Sequence, residues 1–338
     1  MSLRRPIVQV MGPSGRDLVG LWGATLAGLT ITDKAGYESD EAVIRIRDVP
    51  PRWSAPAKGT QYSIHVGWET GAMALTGLYT VQRVAFSGSP DHGTLMEITC
   101  RAADFLDRLK EVDSEHFDGQ TVGQIVQTLA GRMGVQAVVS SAVAGISIPY
   151  RMRFQQSAGD FLTRLADDVG AIIKPQAGRL LVQKRGAGES AGGKALPTIT
   201  VRHDPLYEFR AEIEPRPEYR DVESGWIDPK TGLRTAKRVA GGFQSSRLQL
   251  VHPYASEGEA QSGADAAAQE HGRKSASASF SMPGRGDATA ECRVAASGFG
   301  ADIDAVPWIA ASVTHEIAPD HGWVTTIECD TKGAGSKK

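Results

Sequence analysis

Hydrophobic and polar positions alternate with a period of two through much of the first hundred residues. Glu41 to Asp48 (EAVIRIRD) sets Val43 against Arg45 and Arg47, and Gln61 to Trp68 (QYSIHVGW) alternates similarly. Half-buried strands have this pattern, so the stretch up to about residue 104 is expected to be all β. The middle of the chain changes period. Thr121 to Met133 places Val122, Ile125, Val126, Leu129 and Met133 at helical spacing, between an N-cap candidate, Thr121, and a stop, Gly134. Ser157 to Val169 repeats the recipe, with Ser157 as cap and Asp160 three residues on. Its apolar stripe is Phe161, Leu162, Leu165, Ala166 and Val169, and Gly170 ends it. Ala171 to Lys174 and Arg179 to Lys184, joined by a Pro-Gln-Ala-Gly turn, predict a short hairpin. From Leu196 the pattern is β again. Asp228 to Leu233 (DPKTGL) is a turn between two strands. Gly258 to Lys274 reads as an exposed, alanine-rich helix weakened by Gly263 and Gly272, and Ser275 to Met282 as a strand.

One segment occurs twice. Tyr79 to Cys100 (YTVQRVAFSGSPDHGTLMEITC) and Trp308 to Cys329 (WIAASVTHEIAPDHGWVTTIEC) align without a gap, with seven identities in 22 positions. The identities are Val84/Val313, the whole Pro-Asp-His-Gly, Ile98/Ile327 and Cys100/Cys329. In each copy isoleucine and cysteine share one face of the return strand, opposite Glu97 and Thr99 or Thr326 and Glu328. A repeat at so long a period indicates a duplicated domain rather than a solenoid, whose periods run roughly 20–50 residues.

The expected fold is α+β, mainly β. Two similar antiparallel β-barrel-like domains, 1–104 and 191–330, flank a small α+β domain, 105–190, of two helices and a hairpin. A polar, alanine-rich helical insertion falls near 257–274, and the tail 331–338 is expected to be disordered. Gly186 to Lys194 (GAGESAGGK) reads as a flexible linker or exposed loop. Its glycines fit neither phosphate-binding frame.

With 338 residues the chain has room for two or three cores. Lysine and arginine number 37 against 39 acidic residues, a net charge of −2, so no basic field points to nucleic acid. Three scattered cysteines indicate no disulfide framework. The start is too short in apolar residues for a secretory signal, and no apolar run approaches the roughly 18 residues of a membrane span. A soluble protein made in a reducing compartment is expected.

Candidate chemistry is thin. His92 with Cys100 and His321 with Cys329 offer two ligands per copy where zinc needs three or four, so a hairpin turn and a buried thiol explain them better. Asp167 and Asp168 are adjacent, unlike the spaced carboxylates of glycoside hydrolysis, and read as a solvated face. Trp22, Trp53 and Trp68 are candidates for a carbohydrate platform, but packing explains them more simply. No nucleophile elbow, H-E-x-x-H or paired C-x-x-C occurs. No catalytic, cofactor-binding or metal residue is assigned.

The order of elements, with Gly77-Leu78-Tyr79 leading into the first hairpin, Thr121 to Gly134, Ser157 to Val182 and Trp308 to Cys329, resembles the phage late control gene D family. That family supplies the central hub of contractile tails and is related to the hub part of VgrG-type spikes. The resemblance implies a homotrimer between a six-fold tail tube and a three-fold central spike, in contact with other baseplate proteins. It implies a particle baseplate assembled in the host bacterial cytoplasm, of a phage or of a headless bacteriocin. It implies no catalytic residue, and peptidoglycan cutting would belong to separate proteins. The alternatives are a cell-wall-degrading enzyme of a tail or secretion apparatus with an unrecognised site, and a carbohydrate-binding β module.

Overall fold

Six strands form the first part of the chain: β1 (Pro6–Met11), β2 (Leu26–Lys34), β3 (Glu41–Arg47), β4 (Gln61–Trp68), β5 (Met73–Ser89) and β6 (Gly93–Arg101). The computed structural model describes residues 4–37, 39–47, 53–71, 73–90, 93–102, 109–176, 178–213, 219–240, 246–273 and 276–331. A short helix, α1 (Leu18–Trp22), breaks the expected all-β run, with Asp17 capping it by accepting from Val19 N at 3.0 Å. On β3 the buried residues are Ala42, Ile44 and Ile46. Val43 shares the polar face with Arg45 and Arg47, because side chains two apart lie on the same side of a strand.

The middle unit holds β7 (Val112–Thr121), α2 (Val122–Arg132), β8 (Gln136–Val139), α3 (Ser141–Ala144), β9 (Ser147–Ser157), α4 (Ala158–Asp168), β10 (Ala171–Gln176) and β11 (Arg179–Lys184). Both predicted caps are in place. Thr121 closes a capping box with Gln124, and Ser157 Oγ accepts from Asp160 N at 3.0 Å. Ile125, Leu129, Phe161, Leu162 and Leu165 meet Ile173, Leu180 and Val182 in one core. Strand β10 continues through Pro175 and Gln176, into the first half of the predicted turn.

The chain then forms β12 (Thr198–Arg202), β13 (Phe209–Ile213), β14 (Asp221–Ile227), β15 (Arg234–Ala240), β16 (Arg247–Gln249), α5 (Glu257–Arg273), β17 (Ala276–Pro283), β18 (Arg293–Ser297), α6 (Ala301–Asp304), β19 (Trp308–Ala318) and β20 (Gly322–Thr331). Two sequence expectations fail here. The helix near 257–274 is not a bare exposed interruption. Ala260 and Ala264 are fully buried, and α5 covers a three-stranded sheet, β15-β14-β16, with Val222 and Val239 in its core. Its small side chains permit that close approach. The segment 186–194 is exposed only in part, at Glu189 and at Gly192 to Lys194. Gly186 N donates to buried Glu291, and Ala191 is 5% exposed.

A single 12-stranded sheet runs through both ends of the chain. Its order is β1-β4-β5-β6-β3-β2, continued through β2 pairing with β19 into β18, β19, β20, β17 and β13, with β12 beside β18. Taken in chain order, β1 to β6 correspond to β12, β13, β17, β18, β19 and β20, and the two sets are arranged alike. They differ in one pairing: β1 is antiparallel to β4, whereas β12 is parallel to β18.

Candidate functional site

The duplication extends to single hydrogen bonds. In the first hairpin Val81 faces Cys100 and Arg83 faces Thr99, so Gln82 is bulged out. In the second, Ala310 faces Cys329 and Ser312 faces Glu328, so the bulge falls on Ala311, the residue aligned with Gln82. Bulges at matched positions are features of a shared design. Before the bulge, Gly59 N donates to Val81 O and Val81 N to Thr60 O. The second copy repeats this with Glu291 N to Ala310 O and Ala310 N to Cys292 O. The match explains a strained residue. Glu291 has φ 67°, unusual without glycine, and it stands where Gly59 has φ 86°. The Glu291 carboxylate accepts from Gly186 N at 2.5 Å, which fastens this left-handed residue to the chain at 186.

Both Pro-Asp-His-Gly turns close the same way, Ser89 facing Gly93 and Ala318 facing Gly322, with glycine φ of 67° and 75°. His321 Nδ1 lies 3.0 Å from Asp320 within the second turn. His92 falls outside the described residues. Cys100 and Cys329 are buried, and burial raises both thiols, Cys100 to about 12. Among the described residues no cluster of three or more His, Cys, Asp or Glu could hold a metal. Asp167 and Asp168 do not act as a pair, since Arg185 takes one at 2.7 Å and Arg151 the other at 2.7 Å. Trp22 is buried, and Trp53 and Trp68 pack against the first core. Trp68 packs against Trp323 with ring centres 5.1 Å apart and the planes tilted by 32°, and it donates to Gly284 O at 3.1 Å.

Among the described residues two strand edges of the matched units are open. Strand β19 carries β2 along Ser312–Ile317, with Ile31 opposite His315 and Leu29 opposite Ile317. The matching stretch of β5, residues 83–88, has no partner on that edge among the described residues, and β13, the counterpart of β2, pairs only with β17. Three large apolar side chains stand on these edges: Phe86 at 58% exposure, Phe209 at 42% and Ile213 at 47%. Neither edge is legible in the sequence, since strand register depends on partners distant in the chain.

At the closed seam between β2 and β19 the chemistry differs. Lys174 of β10 bridges Asp33 and Asp40, the latter at 2.7 Å. Gln176 donates to Asp40 at 2.9 Å, and Asp33 accepts from Ala290 N at 3.0 Å. One carboxylate, Asp33, thus contacts all three parts of the chain. Beside it His315 is 1% exposed, and its Nδ1 accepts from Trp323 Nε1 at 3.4 Å and lies 2.9 Å from Thr325 Oγ1. That places the proton of the neutral ring on Nε2, which has no partner. His315, Asp33, Asp40, His65 and Arg179 line a cavity of about 560 Å³.

Burial first, then Asp33, pushes Asp40 up to about 6 against the pull of Lys174, while burial pushes His315 down to about 4. The signs oppose. Asp40, raised in the fold, stabilises below its unfolded value, and that contribution is lost as pH rises through about 6. His315, lowered in the fold, stabilises above its unfolded value, and that contribution is lost as pH falls toward 4. Stability is therefore expected to be nearly flat between about pH 4 and 6 as far as these two groups decide it. In urea titrations across that range, Asp40→Asn is expected to lose stability on acidification and His315→Gln to gain it. Parallel profiles for both variants would contradict the assignment.

The profile of the phage tail baseplate hub (GPD) family matches residues 56–322. The probable baseplate hub proteins of Escherichia phages P2 and 186 are each 28% identical over 94% of this chain and 91% of their own length. Among solved structures, the 43 kDa tail protein of prophage MuSo2 from Shewanella oneidensis is similar over 96% of this chain and 98% of that one, with TM-score 0.67 and 16% identity. An E. coli component of the type VI secretion system is similar over 92% and 76%, with TM-score 0.55 and 11% identity. The last two establish likeness of fold. With most of its length inside the family match, this chain belongs to the phage tail baseplate hub family.

Proposed function

We propose that the chain is a trimeric structural hub, in which three copies close a ring of six repeated units between the tail tube and the central spike. The supporting observation is the pair of complementary open edges. Transferring the β2–β19 register to them puts β13 of one copy against β5 of the next. Phe209 then faces Gly88, Arg210 faces Ser87, Ala211 faces Phe86, Glu212 faces Ala85 and Ile213 faces Val84. Cyclic symmetry repeats this contact around the axis, and a closed ring pairs both of these edges in every copy. Unit boundaries at 1–104, 105–190 and 191–330 give each copy two wall segments carried by one middle unit. The reading assigns the chain no catalytic step. It places the protein in the particle baseplate, after assembly in the host cytoplasm.

The two seams have different chemistry for a physical reason. The seam within the chain forms at fixed register and tolerates His315, Asp33 and the Lys174 cluster. The seam between chains forms from separate molecules, and Phe86 and Ile213 at the corresponding positions supply apolar area when covered. The test is mass in solution by sedimentation, alone and with the spike protein. A trimer, free or induced by the spike, is expected. A monomer that also ignores the spike overturns the proposal.

A further inference from the structure

The repeated units do not account for the sheet β15-β14-β16 and α5. In the first unit, β2 and β3 are joined by the short link 35–40, and this insertion occupies the corresponding place between β13 and β17. Its inner face is spent on α5: Ser224 Oγ donates to Ala260 O, and Val222 and Val239 pack on Ala264. Its outer face follows from register. Glu223 stands opposite Arg238 and beside Gln249, Ile227 opposite Arg234, and Asp221 beside Arg247.

The outer face carries Arg234, Arg238 and Arg247 against Asp221 and Glu223, a local excess of cations on a chain of net charge −2. Lys237 stands on the other face, opposite Ser224, and pairs with Glu257 of α5. The guanidinium groups are held in place. Glu223 accepts from Arg238 Nε at 2.8 Å and from Arg247 Nη1 at 3.3 Å. Arg220 Nε donates to Asp221 at 2.9 Å. Arg234 lies over Gly225, where a Cβ would fall 2.6 Å from its Nε, so the glycine is required for that placement. With the Gln249 amide turned to satisfy both groups, its oxygen accepts from both Arg234 Nη atoms at 3.0 and 3.1 Å. The floor between the arginines is small, with Ala236, Ala240 and Gly225, and exposed Ile227 and Leu233 stand at one end. Strand β15 pairs only with β14, so its other edge is open among the described residues.

We propose that this face and the open edge of β15 dock an extended acidic segment of a protein partner, which adds a strand beside β15. An open edge offers main-chain hydrogen bonds, and Arg234 and Arg238, four residues apart on the outer face of β15, favour carboxylates on the same face of the added strand. Arginine with neighbouring exposed aliphatic groups is the composition of a protein interface. A nucleic acid is disfavoured because, among the described residues, no aromatic side chain stands on the outer face, and Asp221 and Glu223 lie among the cations. The proposal is independent of the ring.

The probe is a fluorescein-labelled peptide of alternating glutamate and valine, titrated with the full-length protein by fluorescence anisotropy. Controls are an alternating lysine–valine peptide and a thymidine oligonucleotide. Saturable binding of the acidic peptide is expected, weakening at least tenfold in the Arg234→Glu, Arg238→Glu protein and retained in the Arg164→Glu, Lys184→Glu protein, whose changes fall on exposed positions of the middle unit. A folded Arg234→Gln, Arg238→Gln protein gives the same answer if the charge reversal fails to fold. No saturable binding, equal binding by the variants, or oligonucleotide binding as tight as the peptide would overturn the proposal.

Discussion

Phe86→Asp is expected to leave the subunit folded and to abolish its self-association. Phe86 is more than half exposed in the isolated chain, so its replacement costs the fold little, within about 0.5 kcal/mol for an ordinary surface site. In the ring the same side chain faces Ala211 of the next copy. Covering it contributes about 2 kcal/mol per seam, and burying an unpaired carboxylate there costs more again. The three equivalent seams of a ring multiply the effect, because each copy presents the same defect. Sedimentation should report monomers where the parent protein assembles, while the thermal midpoint of the subunit moves by no more than a few degrees. An unchanged assembly would remove β5 from the proposed contact. A collapse of thermal stability would instead show Phe86 to be a core residue of the single chain.

Lys174→Met should be among the most destabilising single changes on the intrachain seam. Lys174, Asp33 and Asp40 are each less than one-fifth exposed, and removing the cation leaves two buried carboxylates facing each other. Breaking a buried pair from one side costs about 3–5 kcal/mol, most of it the uncompensated charge. The loss should therefore be relieved in the Lys174→Met, Asp40→Asn protein, since the second change removes one of the stranded charges. It should also shrink on acidification, because Asp40 without its cation takes up a proton at still higher pH. Urea midpoints at pH 5 and 7 for the single and double variants provide the check. A Lys174→Met protein as stable as the parent at both values would mean that the cluster does not fasten the middle unit.

Local order was written plainly in the chain. Thr121 and Ser157 each carry a cap, a stripe and a terminal glycine, all set by neighbours within a few residues, and both helices lie where that chemistry puts them. The hairpins were legible because the Pro-Asp-His-Gly turn kept its chemistry in both copies. What depended on distant partners was not. The burial of α5 needed the sheet β15-β14-β16, whose basic strand β15 looks like any solvated strand until Val239 is seen beneath α5. Gly186 to Lys194 looked like a linker because composition does not reveal that Glu291, more than a hundred residues away, fixes its backbone. Asp33 and Asp40 resemble surface charges for the same reason, since Lys174 reaches them only in the folded protein. The open edges follow from register alone, and register emerges only when both units are laid in one sheet.

A disulfide trap tests the central claim most directly. Cysteines at Ala85→Cys and Glu212→Cys in one chain would be brought into disulfide range by the transferred register, and the native thiols of Cys100, Cys292 and Cys329 are buried and out of competition. Under mild oxidation, denaturing electrophoresis without reductant should show covalent trimers for the double variant and monomers for each single variant. An assembled double variant that forms no interchain bond would contradict the pairing of β13 with β5, and with it the view that one duplicated sheet unit closes into a ring.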